Sequence, residues 1–372
     1  MAKINTRSPY YISLTAANLT QVDFDIWIYT GTKITDRTTG SLFRLSSVAI
    51  TDIVTVEIAE LVSDYILSTF DGDYECTNVW VDYRSLNYIQ GIPETYTAFT
   101  TLAGFNGYGF FEDGANPQNL QSLLQSNTTI LKLDDAPVNL PVDSNSTTSV
   151  SFYYKGEQLY TQAISSSLES VDQIKYITNT TNGADDFQQR VLLDGGIFEG
   201  SICLEEFNND FSIFPVDTIY LDGSNGVTLV KVKNIEECKY QPYKITFINK
   251  FGALQDIWFF KSSRESLTTK TEKFKRNIVV NGSYDTSRHQ QKVLTKNGNE
   301  KLSLNTGFYP EAYNEIFKQM QLSEDCWIEI NNQTLPLNVS SSSLEYKTSL
   351  NDKLINYTID IEFAYDTINN IR

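Results

Sequence analysis

Acid–base and metal chemistry that needs histidine would depend on one imidazole in this chain, because His289 is the single histidine among 372 residues. Ser/His/Asp and Cys/His nucleophilic sites and multi-histidine metal sites all need an imidazole as base or ligand. The neighbours of His289 are polar and basic (SRHQQ), which predicts an exposed loop residue. The motifs GxxxxGK[ST], GxGxxG after a strand and GxSxG are absent from the sequence.

Pairs of carboxylates offer a second kind of chemistry. Two carboxylates across a cleft can hydrolyse a glycosidic bond, one as the acid and the other as nucleophile or base. With 46 Asp+Glu in the chain, however, close pairs arise readily by chance. We therefore predict no catalytic residue, no metal ligand and no cofactor, and keep a carbohydrate-degrading enzyme as an alternative. The pairs are Asp71/Asp73, Glu112/Asp113, Asp134/Asp135 and Asp185/Asp186.

The four cysteines are far apart and form no CxxC pair, which predicts reduced and mostly buried thiols. Such usage is typical of a protein assembled in a cytoplasm. The N-terminal stretch lacks the continuous apolar segment of a secretory signal, and no segment approaches 18 consecutive apolar residues. We therefore expect no membrane insertion. The cysteines are Cys76, Cys203, Cys238 and Cys326.

Charge is divided unevenly along the chain, whose formal net charge is −17. Residues 1–186 contain 9 Lys+Arg and 22 Asp+Glu, whereas residues 239–301 contain 13 and 5. This separation favours contact between the acidic part of one subunit or partner and the basic part of another. A solvated strand face is the alternative, and the acidic total makes nucleic acid an unexpected partner. The predicted interface residues of the basic block are Lys261, Arg264, Lys270, Lys273, Lys275 and Arg276.

A loop rich in Gly, Phe and Tyr occupies residues 104–111. Its glycines allow positive φ angles, while its aromatic side chains either pack locally or present an adhesive surface to a neighbour. Phe105, Tyr108 and Phe110 are therefore further candidate interface residues. Because Tyr and Phe rings also suit contacts with sugars, a receptor-binding or fibre protein that binds host surface glycans is an alternative function.

The elements that position these residues are mostly strands. Residues 22–29 place Val22, Phe24, Ile26 and Ile28 on one face at a period of two, whereas residues 57–66 have the spacing of a short amphipathic helix. Short strands and Gly/Asn/Asp turns between residues 150 and 233 favour a sandwich or a small barrel. We predict a mainly β fold of two or three β-sandwich or small-barrel domains with a few short helices.

The last third of the chain has the sharpest pattern. Residues 243–250 and 254–260 predict a hairpin, and the alternation over residues 354–365 predicts a long strand. Pro310 suits the start of a helix. That helix would place Tyr313, Ile316, Phe317 and Met320 in one stripe.

Composition divides the chain into four parts. These are an N-terminal β domain with one short helix (1–117), a polar junction (118–148), a middle β domain (149–236) and a C-terminal β domain with one amphipathic helix (237–372).

Three stretches near the two ends of the chain share a further pattern. They are residues 3–12 (KINTRSPYYI), residues 243–260, which contain KITFINKFG, and residues 302–308 (LSLNTGF) followed by residues 361–365 (IEFAY). In these stretches the sequence resembles structural virion proteins of tailed bacteriophages that infect Bacteroidetes-type hosts. The resemblance leaves the middle of the chain uncovered and carries over no active-site residue.

The resemblance implies a non-enzymatic part of a phage particle, in the tail, tail tip or baseplate, assembled as a symmetric ring or collar. Its partners would be further copies of the chain and other virion proteins. Its location would be the virion, after assembly in the host cytoplasm. A head or neck component and the glycan-binding receptor protein remain the alternatives.

Overall fold

The computed structural model describes residues 2–34, 37, 40–75, 78–118, 121–164, 173–180, 192–193, 196–197, 213–340 and 354–368. The chain divides into two compact units. Unit 1 consists of Met1–Glu236 and Thr246–Ile257, and unit 2 consists of Glu237–Ile245 and Trp258–Arg372. The finer domain boundaries expected within residues 1–236 stay a prediction.

Strands make up most of the described structure. The strands up to residue 236 are β1 (Lys3–Asn5), β2 (Tyr11–Thr15), β3 (Leu19–Tyr29), β4 (Ser41–Val48), β5 (Ile53–Glu57), β6 (Val79–Ile89), β7 (Ile92–Pro93), β8 (Thr100–Phe105), β9 (Thr129–Leu133), β10 (Asn139–Asp143), β11 (Thr147–Tyr154), β12 (Glu157–Ala163), β13 (Ile174–Thr178), β14 (Leu192–Leu193), β15 (Gly196–Ile197), β16 (Thr218–Gly223) and β17 (Gly226–Ile235). The later strands are β18 (Tyr243–Ile248), β19 (Leu254–Phe259), β20 (Arg264–Lys275), β21 (Gln291–Asn305), β22 (Tyr309–Pro310), β23 (Cys326–Ile330), β24 (Gln333–Val339), β25 (Leu354–Ile355) and β26 (Thr358–Phe363). The helices are α1 (Ala59–Ser63) and α2 (Asn314–Leu322), with 3₁₀ turns at Phe111–Asp113 and Glu311–Tyr313.

The first sheet of unit 1 has the order β1-β8-β6-β3-β4, with β7 beside β6. Successive side chains of a strand point to opposite faces, so the period-two pattern of β3 buries Phe24, Ile26 and Ile28 on one side. These residues form one core with the apolar residues of α1. Trp27 and Tyr29 alternate with them and belong to a second apolar cluster.

The second large sheet of unit 1 has the order β12-β11-β16-β17-β9. Strand β9 is parallel to β17, and the other neighbours are antiparallel. Its core includes Phe152, Ile219, Leu221 and Val230, all fully buried. The separate two-stranded sheets in this unit are β2–β5, β10–β13 and β14–β15.

A seven-stranded sheet with the order β19-β18-β23-β24-β26-β21-β20 contains most strands after residue 236. The short helix α2 buries Ile316, Phe317 and Met320, as the stripe predicted. The Phe317 ring makes edge-on contacts with Tyr309 and Tyr357, with centroids 5.7 and 4.9 Å away. These aromatic contacts anchor the helix in the core of unit 2.

The structure confirms a mainly β fold with several sheets and few short helices. The long strand predicted at residues 354–365 is interrupted, because β25 pairs with β22 whereas β26 enters the seven-stranded sheet. Between β25 and β26, the backbone N–H of Tyr357 donates to the Thr306 hydroxyl at 2.9 Å. A side-chain acceptor thus replaces a sheet partner at this residue, which a period-two pattern does not reveal.

Two of the cysteines are described, and they differ in environment. Cys326 is buried, as expected for most of the cysteines, and Cys238 is exposed. Cys76 and Cys203 lie outside the described residues. In the described parts of the chain, no helix is both long enough and apolar enough to cross a bilayer.

Candidate functional site

The most exposed element of unit 2 is a long hairpin formed by β20 and β21. The two strands pair from Arg264 opposite Ser303 to Lys275 opposite Gln291, with a register shift after Glu272. Every residue of β20 is exposed, and so are residues 279–294. A strand that belonged to the middle of a packed sheet would bury alternate residues on at least one face. Strand β20 and the part of β21 before residue 295 therefore leave both of their faces in solvent, whereas Leu302 and Leu304 at the other end of β21 are buried.

The hairpin projects because the neighbouring strands pair with only one end of it. Strand β26 pairs with β21 only over Lys301–Asn305, and β20 is the last strand of the sheet order. Residues 366–368 run beside β21 as far as Asn297, whose side chain bonds to Ile368. We call residues 270–296 the distal arm. At about 3.4 Å per residue, its two-stranded part extends about 20 Å before the connecting loop begins.

The distal arm contains four of the six predicted cationic interface residues. Lys270, Lys273 and Lys275 lie on β20, and Arg276 follows it, with its backbone N–H bonded to the Gln290 carbonyl at 2.9 Å. In total the distal arm has 7 Lys+Arg and 2 Asp+Glu. Cations are therefore brought together on a projecting element by the local hairpin, without any long-range contact.

The other two predicted cations lie outside the distal arm. Arg264 begins β20, where it pairs with Ser303. Lys261 precedes the strand and forms an ion pair with Glu237, with 2.7 Å between Nζ and Oε2. The hydrogen bond from Lys261 is the main reason that the pKa of the Glu237 carboxyl lies below its usual value. Lys261 is thus engaged within unit 2.

Apolar side chains on the distal arm were missed by the sequence reasoning, which singled out only its charges. They are large and between 41% and 61% exposed. A monomer that projects such residues together with cations presents a surface suited to a partner. The signal in the sequence was the position of apolar residues directly beside lysines, at residues 273–275 (KFK) and 292–294 (KVL). The exposed apolar residues are Phe274, Val279, Val280, Tyr284, Val293 and Leu294.

A groove of about 480 Å³ lies at the base of the hairpin. Glu265 pairs with Leu302 and Leu267 pairs with Glu300, so these four residues share one face of the hairpin and line the groove. The other lining residues come from β23, β24 and β26 and from the segment after β26. They are Ile330, Leu335, Phe363 and Tyr365, and Ser266 and Lys301 complete the groove.

The aromatic loop at residues 104–111 is mostly packed. Phe105 and Tyr108 are 3% and 7% exposed, and Phe110 is half-buried. Tyr108 makes an edge-on contact with Phe110, with centroids 5.7 Å apart, and the Arg7 guanidinium lies 4.9 Å from the Tyr108 ring. Phe105 and Tyr108 therefore offer no open ring face to a partner, which counts against the prediction that they are interface residues and favours the alternative of local packing. Phe111, which follows them, is fully exposed.

Two of the carboxylate pairs that were considered for catalysis, Asp71/Asp73 and Glu112/Asp113, take part in local turns, and Asp134/Asp135 lies in the turn that follows β9. Asp71 accepts the backbone N–H of Asp73 at 3.2 Å, and Asp113 accepts that of Phe110 at 3.1 Å. Asp185/Asp186 lies outside the described residues. Within the described ranges, no group of three His, Cys, Asp or Glu side chains is arranged to hold a metal ion.

His289 lies in the exposed loop of the distal arm, as predicted. Its backbone carbonyl accepts the Arg276 Nε–H at 3.2 Å, which helps to close the loop. The imidazole contributes nothing to that hydrogen bond. The candidate site is therefore the surface formed by the distal arm and the groove at its base.

Comparison of the sequence with models of known protein families finds no match, and comparison with characterised proteins finds no relative.

Proposed function

We propose that this protein is a non-enzymatic structural component of a tailed-phage virion, in the tail, tail tip or baseplate, where the distal arm makes contacts between subunits. The observation that carries the proposal is the exposure of the arm on both faces. A two-stranded hairpin is at best marginally stable in water unless another surface packs against it. A neighbouring subunit would supply that surface.

The charge distribution supports a second copy of this chain as the neighbouring subunit. The distal arm is basic, whereas the whole chain is strongly acidic and residues 1–186 carry most of its excess negative charge. Opposite charges on two surfaces steer their encounter and determine which parts meet. Exposed apolar residues beside the cations would then be removed from water, which favours association by roughly 25 cal/mol per Å² of apolar surface. The arm thus combines an orienting charge with an apolar contact.

The resemblance to virion proteins of tailed phages supports the same assignment, because such particles are built from repeated subunit contacts. The glycan-binding alternative draws less support from the loop at residues 104–111, since Phe105 and Tyr108 are buried. The enzymatic alternative has the carboxylate pairs as its basis, and in two of them, Asp71/Asp73 and Glu112/Asp113, one carboxylate accepts a backbone hydrogen bond within a local turn.

Association of the purified chain tests the assembly part of the proposal. We expect oligomers at about 0.01 M salt and fewer at about 1 M salt, where the Debye length falls from about 30 Å to about 3 Å. The variant K273E/R276E should be shifted towards monomer, as measured by mass photometry. The matched control K231E/K233E reverses two exposed lysines on β17 and should assemble like the wild type. A monomeric wild-type chain at low salt would contradict the proposal.

The location in the particle needs a separate measurement. We expect peptides of this chain in purified virions of the phage that encodes it, and antibody labelling at the tail or its tip. Peptides found only in the lysate, and never in washed particles, would exclude a structural role. Labelling at the head or neck would instead favour the head or neck alternative.

A further inference from the structure

The groove at the base of the hairpin matches the distal arm in chemistry. Leu302 and Phe363 form a buried apolar floor, and Leu267 and Tyr365 are 57% and 41% exposed beside it. The exposed carboxylates in the lining, Glu265 and Glu300, add negative charge to this surface. Lys301, the only cation among the described residues that line the groove, forms an ion pair with Glu362, with 3.1 Å between Nζ and Oε2.

The distal arm has the complementary properties. Lys273 and Val293 are cross-strand partners, and so are Phe274 and Lys292, so each face of the arm presents a cation next to an apolar residue. An apolar side chain from the arm could enter the groove while its neighbouring ammonium approaches Glu265 or Glu300. The volume of about 480 Å³ lies within the range of about 300–1,000 Å³ that is typical of occupied binding pockets.

We propose that the groove receives the distal arm of a second copy of this chain. This inference rests on the proposed function and names the surface that the arm contacts. Groove and arm are different surfaces of one chain, so two copies can exchange arms reciprocally as a two-fold dimer, or the contact can repeat head-to-tail and close a ring when the rotation between subunits allows it. Charge complementarity selects the second copy as the occupant, because each copy carries both halves of the contact.

Charge reversal on both halves tests the contact. Glu265→Lys with Glu300→Lys reverses the groove, and K273E/R276E reverses the arm. We expect each double variant to associate at least tenfold more weakly than the wild type at low salt. The variant with all four substitutions should regain association, because an acidic arm then meets a basic groove. Regained association also shows that the substituted chains fold.

A matched control separates the local contact from net charge. Glu112→Lys with Glu311→Lys changes net charge by the same amount as the groove variant, at two exposed residues outside the groove. We expect it to associate like the wild type. Association would be followed by sedimentation velocity and mass photometry, with circular dichroism to verify folding.

The outcomes distinguish this inference from the proposed function. If the wild type associates and K273E/R276E does not, but the groove variant associates normally, the arm binds another surface and the inference is overturned. The inference is also overturned if the variant with all four substitutions is folded but stays monomeric. If the wild type is monomeric throughout, the proposed assembly role fails together with the inference.

Discussion

At the scale of single residues, the face of β3 opposite Phe24 and Ile26 contains a buried carboxylate that joins three strands. Asp25 is 1% exposed and lies between Arg44 on β4 and Arg84 on β6, with which it is in register. Its two oxygens accept from Arg44 Nε at 2.8 Å and from Arg84 Nη2 at 3.0 Å. The Arg84 guanidinium also stacks on Tyr96, 4.0 Å from the ring centroid. A buried charge of this kind must be paired to be tolerated.

Replacing Asp25 by alanine should therefore destabilise unit 1. Removal of one partner from a buried ion pair typically costs about 3–5 kcal/mol, and we expect the lower end because Arg44 is largely exposed. The measurement is the free energy of unfolding in urea. Glu94→Ala removes an exposed carboxylate and should change stability by less than about 0.5 kcal/mol. Equal effects of the two substitutions would show that the arginines do not depend on Asp25.

The thiol of Cys326 makes the free energy of unfolding depend on pH in the alkaline range. Burial raises the pKa of its thiol from 9.0 to about 12. Between these pH values the unfolded chain releases a proton that the folded chain keeps. The contribution of this thiol to the free energy of unfolding is therefore fully present below about pH 9 and is lost as the pH rises.

Cys326→Ala should flatten the fall in the free energy of unfolding between about pH 9 and pH 10. The tyrosines, whose pKa in the unfolded chain is about 10, contribute equally to the slope of the wild type and the variant. Cys238→Ala is the matched control, because Cys238 is exposed. Urea titrations at several pH values measure the slope. An unchanged slope in Cys326→Ala would mean that the thiol is hydrated in the folded protein.

At the scale of elements, helix α2 depends on one aromatic side chain. Phe317 is fully buried and contacts Phe259 as well as Tyr309 and Tyr357. With nine residues, the helix is too short to be stable by itself, so packing has to hold it.

Phe317→Ala should destabilise unit 2 by about 3–5 kcal/mol, because it removes transfer free energy and leaves a cavity. Leu322→Ala on the same helix is the control, since Leu322 is 45% exposed, and it should cost much less. Thermal and urea unfolding provide the comparison. Similar losses for both would indicate that α2 is held by its ends and not by its buried stripe.

At the scale of the whole molecule, the distal arm should be dispensable for folding and necessary for association. Lys270 pairs with Asn297, so residues 271–296 can be replaced by Asn-Gly, which favours a two-residue hairpin turn. Most of the residues removed are exposed. The shortened chain should keep its unfolding temperature within a few degrees and be monomeric at low salt. A large loss of stability would show that the arm belongs to the core of unit 2.

The sequence by itself determined the class of the fold and several of its elements. Period-two alternation predicted β3 and β26, and the stripe of Tyr313, Ile316 and Phe317 predicted a helix that α2 confirms. These signals are local, because burial of one face imposes the period of the element on its own residues. The basic block was equally evident, since charge can be counted without knowledge of the fold.

Only the tertiary structure decided that this basic block becomes a projecting arm. Strand β20 has no periodic apolar face. Whether such a strand is exposed depends on whether another strand pairs with its free edge, and that strand can come from a distant part of the sequence, which a local pattern does not reveal. The same reason applies to Phe105 and Tyr108, whose burial comes from chain segments far away in sequence. Local pattern defined the elements, and long-range pairing decided which of their residues face solvent.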